Sequence, residues 1–144
     1  MLVLDVNVLL VAHRPDGHPA GDDVRDWVSG RLTAVERVGV DTQVLAAVVR
    51  IATNAHVYES PSSTSAALAF CDSVLGAPSA VTVAPSSRHW SLFASYVQEL
   101  RLTGNDVTDA YLAALAMDHE ATLVSLDKGF RRFPGLHLVN PLAG

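Results

Sequence analysis

Cysteine is nearly missing from this chain. Cys71 is the only one, set in the apolar stretch AALAFCDSVL. A disulfide framework is excluded, and a buried, inert thiol is the reading that fits. Long apolar runs are missing too: no stretch approaches the roughly 18 to 20 residues of a membrane span. The N-terminus lacks the basic region and cleavage site of a secretory signal. A cytoplasmic protein with no membrane partner is expected. Lysine occurs once, at Lys128, against nine arginines. The net charge of −5 argues against coating nucleic acid by charge alone. It is compatible with an acidic site neutralised by metal ions. Internal repeats and long linkers are not visible.

What is present is core-forming material. Of 144 residues, 49% are hydrophobic and 17% charged, which describes one compact domain over 1–144. Short apolar segments alternate with longer amphipathic ones. MLVL (1–4), VGV (38–40), AVTVA (80–84), ATLVSL (121–126) and LHLV (136–139) read as strands. Helices are expected over roughly 7–12, 22–32, from TQVLAAVVRIATN, 64–76, 88–101 and 106–119. Ser/Thr positions in 59–68 are expected to cap one helix, Ser86 or Ser87 another, and Asn105 a third. Alternating β and α with continuous apolar strands predicts an α/β fold, a mostly parallel sheet of four to five strands covered on both faces.

In open α/β sheets, ligands bind beyond the carboxyl ends of the strands. Asp5 follows MLVL directly, Asp41 follows VGV, and Asp127 follows ATLVSL. Turn chemistry explains any one of these well and all three together less well. Asp106 fits the first turn of its helix, where the helix dipole favours an acid. Asp109 lies a turn in, immediately before the apolar AYLAALAM, so it can reach the strand exits from the wet end of a buried helix. Clustered carboxylates repel one another and tend to take up protons. A divalent cation removes that difficulty, and all-oxygen sites suit Mg²⁺ or Mn²⁺. The chemistry supported is attack of a metal-activated water on a phosphodiester.

With these residues in place, the chain resembles a PIN-domain protein, in particular the VapC-type ribonuclease toxins of toxin–antitoxin pairs. DVNVLL, GNDVTDAYLAALA and SLDKGFRRFPGL carry the resemblance. VVRIATNAHVY and the His89–Trp90 pair resemble one bacterial subgroup. The resemblance implies a three-layer α/β/α domain and a Mg²⁺- or Mn²⁺-dependent endoribonuclease. It implies Asp5, Asp109 and Asp127 as metal ligands, with Asp106 as a further candidate. Asn7 and Ser125 are implied as polar companions on the substrate side. A homodimer and a cognate VapB-type antitoxin are implied as partners beside the RNA. One departure stands out. Many family members carry a glutamate in a V-L-A-E-x-x-R pattern, whereas VLAAVVR puts Ala47 there. Asp41 is the available substitute as a catalytic acid.

Arg14, Lys128, Arg131 and Arg132 are the candidates for RNA phosphate contacts, which position a substrate without reading its sequence. An ordinary solvated basic loop is the plainer reading of the last three. Arg50, mid-helix in an apolar run, is expected to pair with a buried acid instead of reaching RNA. The histidines lack the H-x-x-x-H spacing of a metal site. His13 is a candidate for the site mouth, while His56 and His119 fit helix ends. A phosphatase using Asp5 as nucleophile is disfavoured, because Asn7 stands where an acid–base aspartate is needed. A domain that binds RNA or antitoxin without cutting is the third reading, supported by Ala47.

Overall fold

The computed structural model describes residues 1–143. Five strands form one sheet: β1 (Leu2–Leu4), β2 (Val38–Val40), β3 (Ala80–Thr82), β4 (Thr122–Val124) and β5 (Leu138–Val139). Six α-helices connect them: α1 (Val6–His13), α2 (Gly21–Leu32), α3 (Thr42–Ala52), α4 (Thr64–Leu75), α5 (His89–Glu99) and α6 (Asp106–Asp118). The sheet order is β3-β2-β1-β4-β5, and every pairing is parallel. The expected mostly parallel sheet is thus wholly parallel. The reason is visible in the connections: two α-helices join each of the first three pairs of successive strands, and a loop with a short 3-10 helix (Lys128–Arg132) joins β4 to β5.

The inner strands β1 and β2 are buried on both faces, whereas the edge strands β3 and β5 are partly exposed. Every residue of β1 and β2 is buried, so a polar residue ends the run at once in each case. Right-handed crossovers put α1 to α4 on one face, as the chain steps from β1 outward to β3. They put α5 and α6 on the other, as it returns from β3 to β4. The chain reverses direction across the sheet between β1 and β4. Such a switch point opens a crevice at the strand ends.

Helix α6 lies deep in one layer. Ala110, Leu112, Ala113, Ala114, Leu115 and Ala116 are all buried, as the nearly all-round apolar sequence anticipates. Small alanines let α6 lie close to its neighbours. At its far end Asp118 is buried, yet accepts bonds from the Ser86 N–H (2.8 Å) and the Ser86 hydroxyl, and pairs with Arg88. Those contacts hold its carboxyl below the usual range against the opposing effect of burial. Cys71 is buried, as expected.

Three local expectations are corrected. Asn105 makes no side-chain cap bond, because its own backbone is already helical (φ −64, ψ −26), whereas a capping side chain needs an extended residue. Neither Ser86 nor Ser87 caps α5. Arg88 precedes the helix, and the Ser86 oxygen accepts from the Arg88 N–H while its proton goes to Asp118. Arg50 is exposed and forms no ion pair among the described residues. Ser63 does cap α4, accepting from Ala66 N–H at 3.1 Å.

Candidate functional site

β1 and β4 run side by side with Leu4 opposite Val124, so Asp5 and Ser125 leave the sheet together. The Asp5 N–H still donates to the Val124 carbonyl at 2.9 Å, which fixes its height at the strand end. One Asp5 carboxylate oxygen accepts from the Val6 N–H at 2.6 Å, capping α1. The other accepts from the Ser125 hydroxyl at 2.7 Å. Ser125 in turn accepts from the Asp127 N–H at 3.0 Å and the Asn7 amide at 3.3 Å. The Asn7 carbonyl oxygen accepts from the Leu126 N–H at 3.2 Å. Asn7 and Ser125 therefore lash the β4 exit loop to the β1 exit. Ser125 is only 1% exposed, so its hydroxyl works inside this network and orients Asp5 and Asp127.

Asp109 enters from the first turn of α6. It shares a cleft of about 100 Å³ with Asp5. Gln43 and Ala47 of α3 form one side of that cleft, and Thr108 and Tyr111 of α6 the other; Val6, Val44 and Leu112 make it apolar between. Burial pushes the Asp5 carboxyl up to about 6. The bonds from Ser125 and Val6 oppose that rise, and the charges of Asp109 and Asp127 add to it. Burial likewise raises Asp109, with Asp127 and Asp106 adding to the rise and Arg132 opposing it. The three acids that the strand ends and α6 supply are thus close enough to feel one another. Asp127 also takes the Gly129 N–H at 2.8 Å.

Asp41 belongs to a different arrangement. It is 4% exposed, and one oxygen caps α3 by accepting the Gln43 N–H at 3.0 Å. The other accepts the Tyr111 hydroxyl at 2.7 Å. That bond and burial hold the Tyr111 phenol firmly protonated. Asp41 does not line the acid cleft; it clasps α3 to α6 behind it. Ala47 does line the cleft, and α3 presents there the polar side chain of Gln43 rather than an acid. Tyr111 and Gln43 carried no sequence signal, since the first looks like part of an apolar helix and the second like an ordinary helical surface residue.

The cationic candidates separate as well. Arg14 donates to the Ser62 hydroxyl (2.9 Å) and the Ser60 carbonyl (2.8 Å) and lies 4.0 Å over the Tyr58 ring. It straps down the loop after α3. His13 shares Ser62 with it at 2.9 Å, at the end of α1 away from Asp5 rather than at the cleft. Lys128 and Arg131 are exposed. Arg132 reaches the acids: its guanidinium donates to Asp109 at 3.1 Å and lies 3.7 Å from Asp106. Of the histidines and aromatics near α5, His89 is buried against the Tyr111 carbonyl (2.9 Å), and Trp90 is 71% exposed.

Whether these residues suit a divalent cation can be judged from their chemistry. Asp5, Asp109 and Asp127 offer carboxylate oxygens alone, the donor type that hard divalent cations take. Burial raises the Asp5 and Asp109 carboxyls, the neighbouring acids add to that rise, and at Asp109 a guanidinium offsets part of it. The donor set fits such an ion. Among the described residues, no three acidic, histidine or cysteine side chains converge into a ready-made cage.

A doubly wound parallel sheet with carboxylates beside its switch point puts the candidate site in the crevice at the strand ends. A model of the PIN domain family matches residues 2–136, and the chain belongs to that family. It is 39% identical over 144 residues to ribonuclease VapC43 of Mycobacterium tuberculosis, covering all of this chain and 97% of that one. It is 38% identical over 141 residues to ribonuclease VapC31 of the same organism, covering 98% and 99%. Among solved structures it is similar to VapBC2 from Rickettsia felis bound to a promoter DNA fragment. The TM-score is 0.68 and the identity 20%, over 96% of this chain and 97% of that one; that likeness concerns the fold. No described helix is long and apolar enough to cross a membrane.

Proposed function

We propose that this protein is an endoribonuclease of the toxin–antitoxin kind, cutting RNA phosphodiester bonds with Mg²⁺ or Mn²⁺. The carrying observation is the gathering of Asp5, Asp109 and Asp127 around one switch point, in a chain whose full length aligns with VapC ribonucleases. Asp5, Asp109 and Asp127 would hold the ion, with Asp106 at the rim. Such an ion, held there, would supply Lewis-acid activation of a water and charge stabilisation at the phosphate. The chain's own residues do the rest. Ser125 and Asn7 keep Asp5 and Asp127 in register. The apolar walls at Val6, Val44 and Leu112 limit water around the reacting phosphate. Lys128 and Arg131, exposed on the same loop as Asp127, are placed to attract the RNA backbone. A cognate VapB-type antitoxin, a homodimeric state and action in the cytoplasm belong to the same reading.

The test is direct. Purified protein is incubated with a structured RNA, and the products are resolved on a gel. Cleavage that requires Mg²⁺ or Mn²⁺, stops with EDTA and is abolished by Asp5→Asn is the expected result. Cleavage that persists in EDTA would sink the proposal. A second reading, RNA or antitoxin binding without cleavage, draws on Ala47 in the cleft and on the engagement of Asp41 with Tyr111. Wild-type protein that binds RNA but never cuts it with either cation would favour that reading.

A further inference from the structure

Arg132 is the cation in contact with the acid cluster among the described residues. Its Nη2 lies 3.1 Å from an Asp109 oxygen and 3.7 Å from an Asp106 oxygen. Its seat is shaped for it. The guanidinium carbon lies 5.0 Å over the Phe133 ring, and Phe133 is itself buried against Phe130 and Tyr96. On the other side is the bare backbone of Gly129. A methyl group there would come within 2.9 Å of Arg132 Nη1 and 3.0 Å of an Asp127 oxygen. Gly129 thus leaves the Arg132 and Asp127 side-chain ends room to lie close to the loop backbone. The Arg132 side chain is still 34% exposed, so it can turn outward without unfolding anything.

Three facts bear on what it does there. A guanidinium matches both carboxylate and phosphate oxygens. Its two acid partners are held by one hydrogen-bonding contact and one longer ionic one, a pairing of modest strength at a part-exposed site. A divalent ion taking up Asp109 would compete for the very oxygen that Arg132 now occupies. We propose that Arg132 is an exchangeable counter-ion: it neutralises Asp109 and Asp106 while no divalent cation is bound, and it binds an RNA phosphate beside the cleft once Asp109 is given over to the cation. This rests on the ribonuclease reading for the RNA half, and on the ion pair alone for the cation half.

The experiment compares wild type with Arg132→Gln and Arg132→Lys, folded state being checked by circular dichroism. Mn²⁺ affinity is measured by calorimetry without RNA. Binding of a short single-stranded RNA is measured in Ca²⁺, chosen to slow turnover, across a series of salt concentrations. Loss of a competing guanidinium should tighten Mn²⁺ binding several-fold in Arg132→Gln. The same change should weaken RNA binding and lower the slope of log affinity against log salt by about one, the signature of one lost phosphate contact. Arg132→Lys keeps the charge and should lie close to wild type in slope, while losing part of the affinity. Mn²⁺ affinity that stays the same or falls in Arg132→Gln overturns the counter-ion role. An unchanged salt slope overturns the phosphate role. The Mn²⁺ measurement needs no cleavage, so a protein that never cuts RNA would defeat the ribonuclease reading and leave the counter-ion result standing.

Discussion

Asp5 and Asp41 begin as near twins. Each ends a buried parallel strand, each is almost fully buried, and each caps the helix that follows. They differ in what stands opposite. Asp41 faces the Tyr111 hydroxyl and stands outside the acid cleft. Asp5 faces Ser125 and lies beside Asp109 and Asp127, and its carboxyl is driven up to about 6. A strand exit supplies an acid with a position; the neighbouring element decides whether that acid becomes a clasp or joins a cluster of acids. An expected replacement for the acid missing at Ala47 is thereby explained as a different kind of residue.

The sharpest way to break this contrast is to neutralise each acid in turn. Asp5→Asn should lower RNA cleavage by at least about a hundredfold, the scale on which a preorganised electrostatic group acts. Asp41→Asn should leave cleavage within about tenfold of wild type while lowering the thermal midpoint. Equal losses of cleavage in gel assays of the two variants would erase the distinction. Next in size is Tyr111→Phe. It leaves a buried Asp41 oxygen without its donor, which costs about 1–3 kcal/mol. Denaturant unfolding should report that loss, and an unchanged midpoint would mean that the clasp carries no weight.

Acidity gives a further handle, of the order of 3 kcal/mol at most. The Asp5 carboxyl titrates near 6 in the folded chain against 3.8 for the free group. The folded state then binds the proton more tightly, so Asp5's contribution to stability falls as pH rises from about 4 to about 6, and levels off above. Metal-free protein followed by thermal melts should show this downward component, and Asp5→Asn should lack it. Added Mg²⁺ should flatten it, because a cation favours the ionised form. The smallest effect is expected for Asn7→Ala. It removes one donor to Ser125 and one acceptor for Leu126 N–H, and should reduce cleavage severalfold at little cost in stability.

Much of the architecture was legible because it is written in local pattern. Short apolar runs ended by aspartate mark buried strands and their exits, and AYLAALAM marks a buried helix whatever it packs against. Asp5, Asp109 and Asp127 could be gathered on paper because strand ends of a parallel sheet share one edge. The misses are all of another kind. The tie between Asp41 and Tyr111 spans 70 residues, and no periodicity encodes it. The side chain of Asn105 is chemically suited to a cap but sits in a helical backbone. Arg132 resembled its neighbour Arg131 in sequence, and only the packing of Gly129 and Phe133 separates them. Residue type limits what a side chain can do; the partner that arrives from elsewhere decides which of those things it does.

The place of β1 at the middle of the sheet has a consequence for when this centre can exist. Asp5 is among the first residues of the chain, and its partner Ser125 lies 120 positions later. β1 has a neighbour on its second side only after β4 has been made. A growing or truncated chain ending before residue 122 therefore holds Asp5, Asp41 and Asp109, yet has neither Ser125 to orient Asp5 nor Asp127 to complete the cluster. The acid cluster is therefore a product of long-range pairing: the β4 segment must lie beside β1 before Asp5 has Ser125 to orient it.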